Sequence, residues 1–162
     1  MKRALALPLL MLVTALPAQA FDYIAGFRDW AVYRDTINGE LVCYATTPAT
    51  DKTPRSADHG DVHFFVTYFR NSALPQNSMR VAYDFREDMP AEASVSGRSW
   101  KLYTVRNEIF ANDDDERAIR DSLRSGSELR VEATSERNTQ VTYHFSLSGS
   151  ASAIDRAQSL CN

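Results

Sequence analysis

The chain predicts a mainly β protein, an antiparallel β-sandwich or squat barrel carrying two short helices at about 114–125 and 151–160. Three observations predict it. In residues 141–147, Val141, Tyr143, Phe145 and Leu147 alternate with Thr142, His144 and Ser146, the period of a strand with one face buried. Asn38-Gly39 stands between two apolar stretches and suits the left-handed angles of a type I′ hairpin turn. Only two segments replace this rhythm with helical spacing, so helices are the minority element.

In chain order, residues 30–34 and 41–46 flank the Asn38-Gly39 turn as a first hairpin. Residues 46–61 carry Pro48, Pro54 and Gly60 and are expected to form a loop. Residues 62–69 are almost continuously apolar (Val62, Phe64, Phe65, Val66, Tyr68, Phe69), as expected of a strand buried on both faces. Met79, Val81, Tyr83 and Phe85 alternate with Arg80, Ala82, Asp84 and Arg86, a strand with one wet face. A hairpin is expected over 93–105 around Gly97, with Trp100 and Leu102 facing one way. Residues 114–124 open with acids, hold Ile119 and Leu123 four apart, and precede Gly126, where a helix would end. On that helix Glu116 with Arg120, and Arg117 with Asp121, have the spacing of exposed ion pairs. Leu129, Val131 and Ala133 predict a strand, joined to 141–147 by a polar turn at 136–139. In 151–160 the helical spacing of Ile154, Ala157 and Cys161 puts all three on one face.

Residues 1–20 form an expected signal peptide: Lys2 and Arg3, an apolar run over 4–15, and Ala18-Gln19-Ala20 as the cleavage site. The run is too short to span a bilayer with margin, and no stop-transfer pattern follows it; a retained anchor is the alternative. The reading is of a single domain over 21–162, periplasmic or secreted, with no transmembrane segment after cleavage. Losing Lys2 and Arg3 moves the formal net charge from −3 to −5. Such a balance offers no electrostatic footprint for nucleic acid or an anionic membrane. Cys43 and Cys161, an even count in an exported chain, are expected to form a disulfide tying the C-terminus to an early strand. Two free buried thiols are the alternative, and the spacing excludes a Cys-x-x-Cys redox pair.

No catalytic or metal-binding constellation stands out. His59 and His63 are four apart in a strand-like segment, which would hold them about 13 Å apart, too far for one zinc. A site from Asp58, His59 and Asp61 has little support, and His144 sits on the polar side of its strand. Asp113-Asp114-Asp115-Glu116 lacks the glycine and distal glutamate of an EF-hand loop, and acids at a helix start are explained by the helix dipole. Ser94-Val95-Ser96-Gly97 and Ser146-Leu147-Ser148-Gly149 are not nucleophile elbows. No cofactor is implied.

The ordered punctuation between these elements resembles the invasion-associated locus B family of exported bacterial proteins. The likeness is carried by Asp29-Trp30-Ala31-Val32-Tyr33, Cys43-Tyr44-Ala45-Thr46-Thr47-Pro48, Phe65-Val66-Thr67, Val81-Ala82-Tyr83-Asp84-Phe85-Arg86 and Gly97-Arg98-Ser99-Trp100-Lys101-Leu102-Tyr103-Thr104. It continues through Ser135-Glu136-Arg137-Asn138-Thr139, Tyr143-His144-Phe145-Ser146-Leu147-Ser148-Gly149 and the segment 157–161. Departures mark a divergent member: Ala82-Tyr83 for the usual Gly-Tyr, Ile109-Phe110 for Ala-Trp, and Asn138 for the glycine of a turn, a swap that a left-handed position tolerates. The resemblance implies an exported, envelope-associated β protein of Gram-negative bacteria with no agreed enzymatic activity, in a family named for host-cell invasion.

The function expected is therefore non-enzymatic: binding of an envelope or host-surface protein, with Tyr33, Arg34, Tyr44 and Arg137 as the candidate contact residues. These are the side-chain types that carry interface energy. A periplasmic hydrolase with an unrecognised site, or a periplasmic structural or stress protein, are the alternatives.

Overall fold

The computed structural model describes residues 21–70, 72 and 74–162; the expected signal peptide lies outside the described residues. Strands β1 (Asp22–Phe27), β2 (Trp30–Ile37), β3 (Glu40–Pro48), β4 (Asp51–Thr53), β5 (His63–Phe69) and β6 (Gln76–Arg80) are followed by β7 (Ala91–Val95), β8 (Arg98–Val105) and β9 (Glu108–Ala111). Helix α1 (Glu116–Ser125), strands β10 (Glu128–Thr134) and β11 (Gln140–Ser146) and helix α2 (Ser150–Cys161) complete the chain. The strands form one sheet in the order β1-β2-β3-β5-β6-β9-β8-β7-β10-β11-β4, and every pairing is antiparallel.

The sheet curls until its far strands face each other across a common core, yet among the described residues no ladder joins its two edges, so it is not a closed barrel. Phe64 of β5 and Phe145 of β11, distant in strand order, have ring centroids 5.8 Å apart. Hydrogen bonds bridge the open seam. The Trp30 indole N–H donates to the Ser146 carbonyl (2.9 Å), and the Asp29 amide donates to the Ser148 carbonyl (3.3 Å). The Ser146 hydroxyl donates to the Asp29 carboxylate (2.6 Å). The core is filled from the inward-facing alternates of the strands, and by Ile119 and Leu123 of α1 and Ile154 and Ala157 of α2.

The turns follow their residues. Asn38 and Gly39 both have positive φ (53° and 82°), the geometry of a type I′ turn, and Asn138 takes the left-handed position (φ 61°). Cys43 and Cys161 are joined, with Cα atoms 5.8 Å apart, which fastens the end of α2 to the core side of β3.

Four expectations are corrected. β5 is buried on one face only: Phe64, Val66 and Tyr68 enter the core, while Phe65 and Phe69 are half-exposed on the outside. A run of large apolar residues thus served two surfaces. The strand expected through Phe85 stops at Arg80. Val81 and Phe85 are buried, but their amides bond the Asn107 and Arg106 carbonyls of the β8–β9 turn, so the segment threads between hairpins without a ladder. Glu116 does not pair with Arg120; it is buried at 3% exposure, and Arg120 turns to Asp121 (2.8 Å). The expected loop at 46–61 begins with the end of β3 and contains β4, which pairs with β11.

Candidate functional site

Alternation sends every second strand residue to the outer surface, and in half of the sheet those residues are aromatic. The hydrogen-bonded register sets Tyr23 opposite Tyr33 and Tyr33 opposite Tyr44. Tyr33 and Tyr44 stack, with centroids 5.4 Å apart and planes at 19°. Tyr23 meets the Tyr33 ring edge-on at 5.6 Å, and Phe65 meets Tyr44 at 5.9 Å. Beyond Phe65, Ser78 of β6 lies between Phe65 and Phe110 of β9, opposite each in register. Tyr103 of β8 stacks on Phe110 at 5.6 Å. A row of rings therefore crosses the strands at right angles, interrupted by one small residue.

That interruption makes a groove. Its volume is about 510 Å³, with Tyr44, Phe65 and Phe69 on one side, Phe110 on the other and Ser78 among the residues that line it. Val42 also lines it and is 3% exposed although it lies outside the core cluster, so this outer face has a packed interior of its own. Phe21, itself 60% exposed, reaches the Tyr44 ring at 6.4 Å. Arg80 stands over Phe65, its guanidinium carbon 6.0 Å from the ring centroid, and is held there by Glu108 (2.6 Å). The polar tips on this face are perturbed accordingly. Burial, reinforced by the neighbouring Tyr33 and by Asp35, pushes the Tyr44 phenol up to about 12, so it stays protonated and can donate a hydrogen bond. Burial pulls His63 below the usual imidazole range, against the opposing pull of Asp61.

Of the four candidate residues, the structure brings two together. Tyr33 and Tyr44 form the centre of the aromatic row. Arg34 is paired in register with Cys43, whose side chain enters the core; it therefore points to the opposite side of the sheet, where it meets Asp22 (3.1 Å). Arg137 lies in the β10–β11 turn, at a separate cavity of about 470 Å³ lined also by His59, Tyr83, Asp84 and Glu136. Sequence reasoning missed Tyr23, Phe65, Arg80, Tyr103 and Phe110. Phe65 was hidden by the reading of its strand as doubly buried, and Arg80 by the absence of any sequence signal that β6 follows β5 on the sheet.

No family profile matches the chain, and no curated protein does. Among solved structures, the crystal structure of invasion associated protein B from Bartonella henselae matches with a TM-score of 0.56, covering 82% of this chain and 93% of that one at 14% identity. The two share a fold. The family resemblance carried by the short motifs is thus met by a three-dimensional likeness to invasion associated protein B, at an identity that leaves side-chain chemistry free to differ. No helix among the described residues is long and apolar enough to cross a membrane.

Proposed function

We propose that this protein is an exported, non-enzymatic envelope protein, a divergent relative of invasion associated protein B, that binds a protein partner through the outer aromatic face of its sheet. One observation carries the reading: the Tyr33–Tyr44 stack, flanked by Tyr23 and Phe65 and bordered by the groove above Ser78. Rings at the surface cost apolar exposure, and such patches rimmed by polar groups mark interaction sites. Tyrosine supplies rigid contact area with two side-chain torsions, and stacking fixes those torsions before any partner arrives. Arg80, clamped by Glu108, adds a cation already positioned at the edge. The disulfide supports export, because such bonds persist in oxidising compartments.

The test is capture from envelope extract and from a host-cell surface extract, with parent and variant proteins immobilised at equal density. Tyr33→Ala and Tyr44→Ala, each shown to be folded by circular dichroism, are expected to weaken the captured complex by at least about tenfold, the scale of a central aromatic contact. Arg34→Ala and Arg137→Ala, which lie away from the row, are expected to leave it unchanged. Equal affinity of the two tyrosine variants and the parent would remove the aromatic face as the site.

A further inference from the structure

We propose that the cavity beside the β10–β11 turn is a binding site for a small organic ammonium ion, distinct from the aromatic face. Its volume, about 470 Å³, is that of a small-molecule site. Its floor has a defined hydrogen-bond polarity. His59 is 5% exposed; its Nε2 is 2.8 Å from the Pro54 carbonyl and its Nδ1 is 3.0 Å from the Tyr143 hydroxyl. A carbonyl only accepts, so Nε2 carries the hydrogen and Nδ1 of the neutral ring accepts from Tyr143. The Tyr143 oxygen in turn takes the hydroxyl hydrogen of Tyr83, its other partner. Tyr83, which lines the cavity, has then directed its only hydroxyl hydrogen inward and offers the cavity lone pairs alone. Burial raises both phenols, so each keeps its proton.

The walls match that floor. Asp58, Asp84 and Glu136 line the cavity, and among the described residues none of the three forms a salt bridge. Asp58 accepts the Gly60 amide, whereas the Asp84 side chain makes no hydrogen bond among the described residues. Arg55, the cation nearest to Asp58 in sequence, pairs with Asp51 (3.2 Å), and Lys52 donates to the Gly60 carbonyl. The Tyr83 acceptor and three carboxylates fit a ligand with N–H donors and positive charge, and the half-exposed Tyr83 ring adds a face for that charge. Arg137 is the one cation in the lining and opposes such a ligand.

The experiment is an NMR and calorimetric titration of the disulfide-intact protein with n-butylammonium, butyrate and tetramethylammonium at matched ionic strength. Butylammonium is expected to bind saturably, shifting Tyr83 and Asp84 resonances; tetramethylammonium, which has no N–H, is expected to bind about tenfold more weakly, as is butylammonium to Tyr83→Phe or Asp84→Asn. Arg137→Ala is expected to bind it more tightly. Binding of butyrate in preference to butylammonium, absence of saturation, or equal affinity in the parent and both loss variants would overturn the proposal. So would a neutral His59 with its hydrogen on Nδ1, read from ring nitrogen shifts at pH 8. Loss of partner capture by Tyr44→Ala leaves these outcomes untouched, so the two sites fail or stand separately.

Discussion

A carboxylate at the start of a helix ordinarily faces water and the positive end of the dipole, but Glu116 is folded inward against Asn77. The Asn77 amide donates to its Oε2 at 2.7 Å, and the Asn77 side-chain amide donates to the same atom. Among the described residues no cation offsets the charge, so burial pushes this carboxyl up to about 7, with Asp113 and Asp115 adding to the shift. Because the folded pKa lies above the unfolded value near 4.5, the folded state holds this proton more tightly. The associated stability is fully present below about pH 4.5 and is lost as pH rises through about 7. The difference is on the order of 3 kcal/mol. Urea denaturation at pH 5, 6, 7 and 8 is expected to show that loss in the parent, and Glu116→Gln is expected to flatten it; an unchanged slope would place the titration elsewhere. Gly149 is a second residue on which much depends. Its φ is +93°, and a Cβ there would lie 1.9 Å from the Phe27 carbonyl oxygen. Gly149→Ala is expected to cost more than about 3 kcal/mol in the same assay, since the obstacle is backbone that must move. Gly126 differs: its backbone is extended, and its lack of a side chain matters because a Cβ would lie 2.4 Å from Val95.

At the scale of elements, α2 lies on the core side of β3 and is held there by the Cys43–Cys161 bond, with a sequence separation of 118 residues. In the chain-entropy account, closing a loop of that length stabilises by about 5 kcal/mol. Cys43→Ser, Cys161→Ser and the double variant are expected to lose similar amounts, because each removes the same constraint. A single variant much worse than the double would point to local packing instead. The elements that could be read from sequence were those whose alternation has one cause. Leu129, Val131 and Ala133 face the core and their neighbours face water, and β10 follows. The elements that could not be read depend on partners far along the chain. β4 is three residues long and exists because β11 offers an edge; β9 pairs with β6 and β8 and carries only four residues. The candidate site was half legible for the same reason. Tyr33 and Tyr44 are brought together by a local hairpin, whereas Phe110 and Arg80 join them through a strand order that no local pattern encodes.

Across the whole molecule, the curl of the sheet decides what is buried and what is offered to solvent. Its inner face converges on Trp30, Tyr143 and Phe145, while its outer face keeps the aromatic row and the groove. Trp30 helps to close the seam and reports on it: its indole hydrogen, bonded to the Ser146 carbonyl in a side chain only 1% exposed, is expected to exchange at the rate of global unfolding. Faster exchange than the β10–β11 amides would show the seam opening independently. The Cys43–Cys161 bond has a bearing on the life history of the chain. Cys161 follows the last of the strands, so in the export proposed above the seal waits until every strand has reached the oxidising side. Until then the sheet must hold by pairing and packing alone. On that proposal a chain interrupted during export, even one with all of its strands across, would carry an unpaired Cys43 thiol, a chemical mark by which an unfinished molecule differs from a finished one.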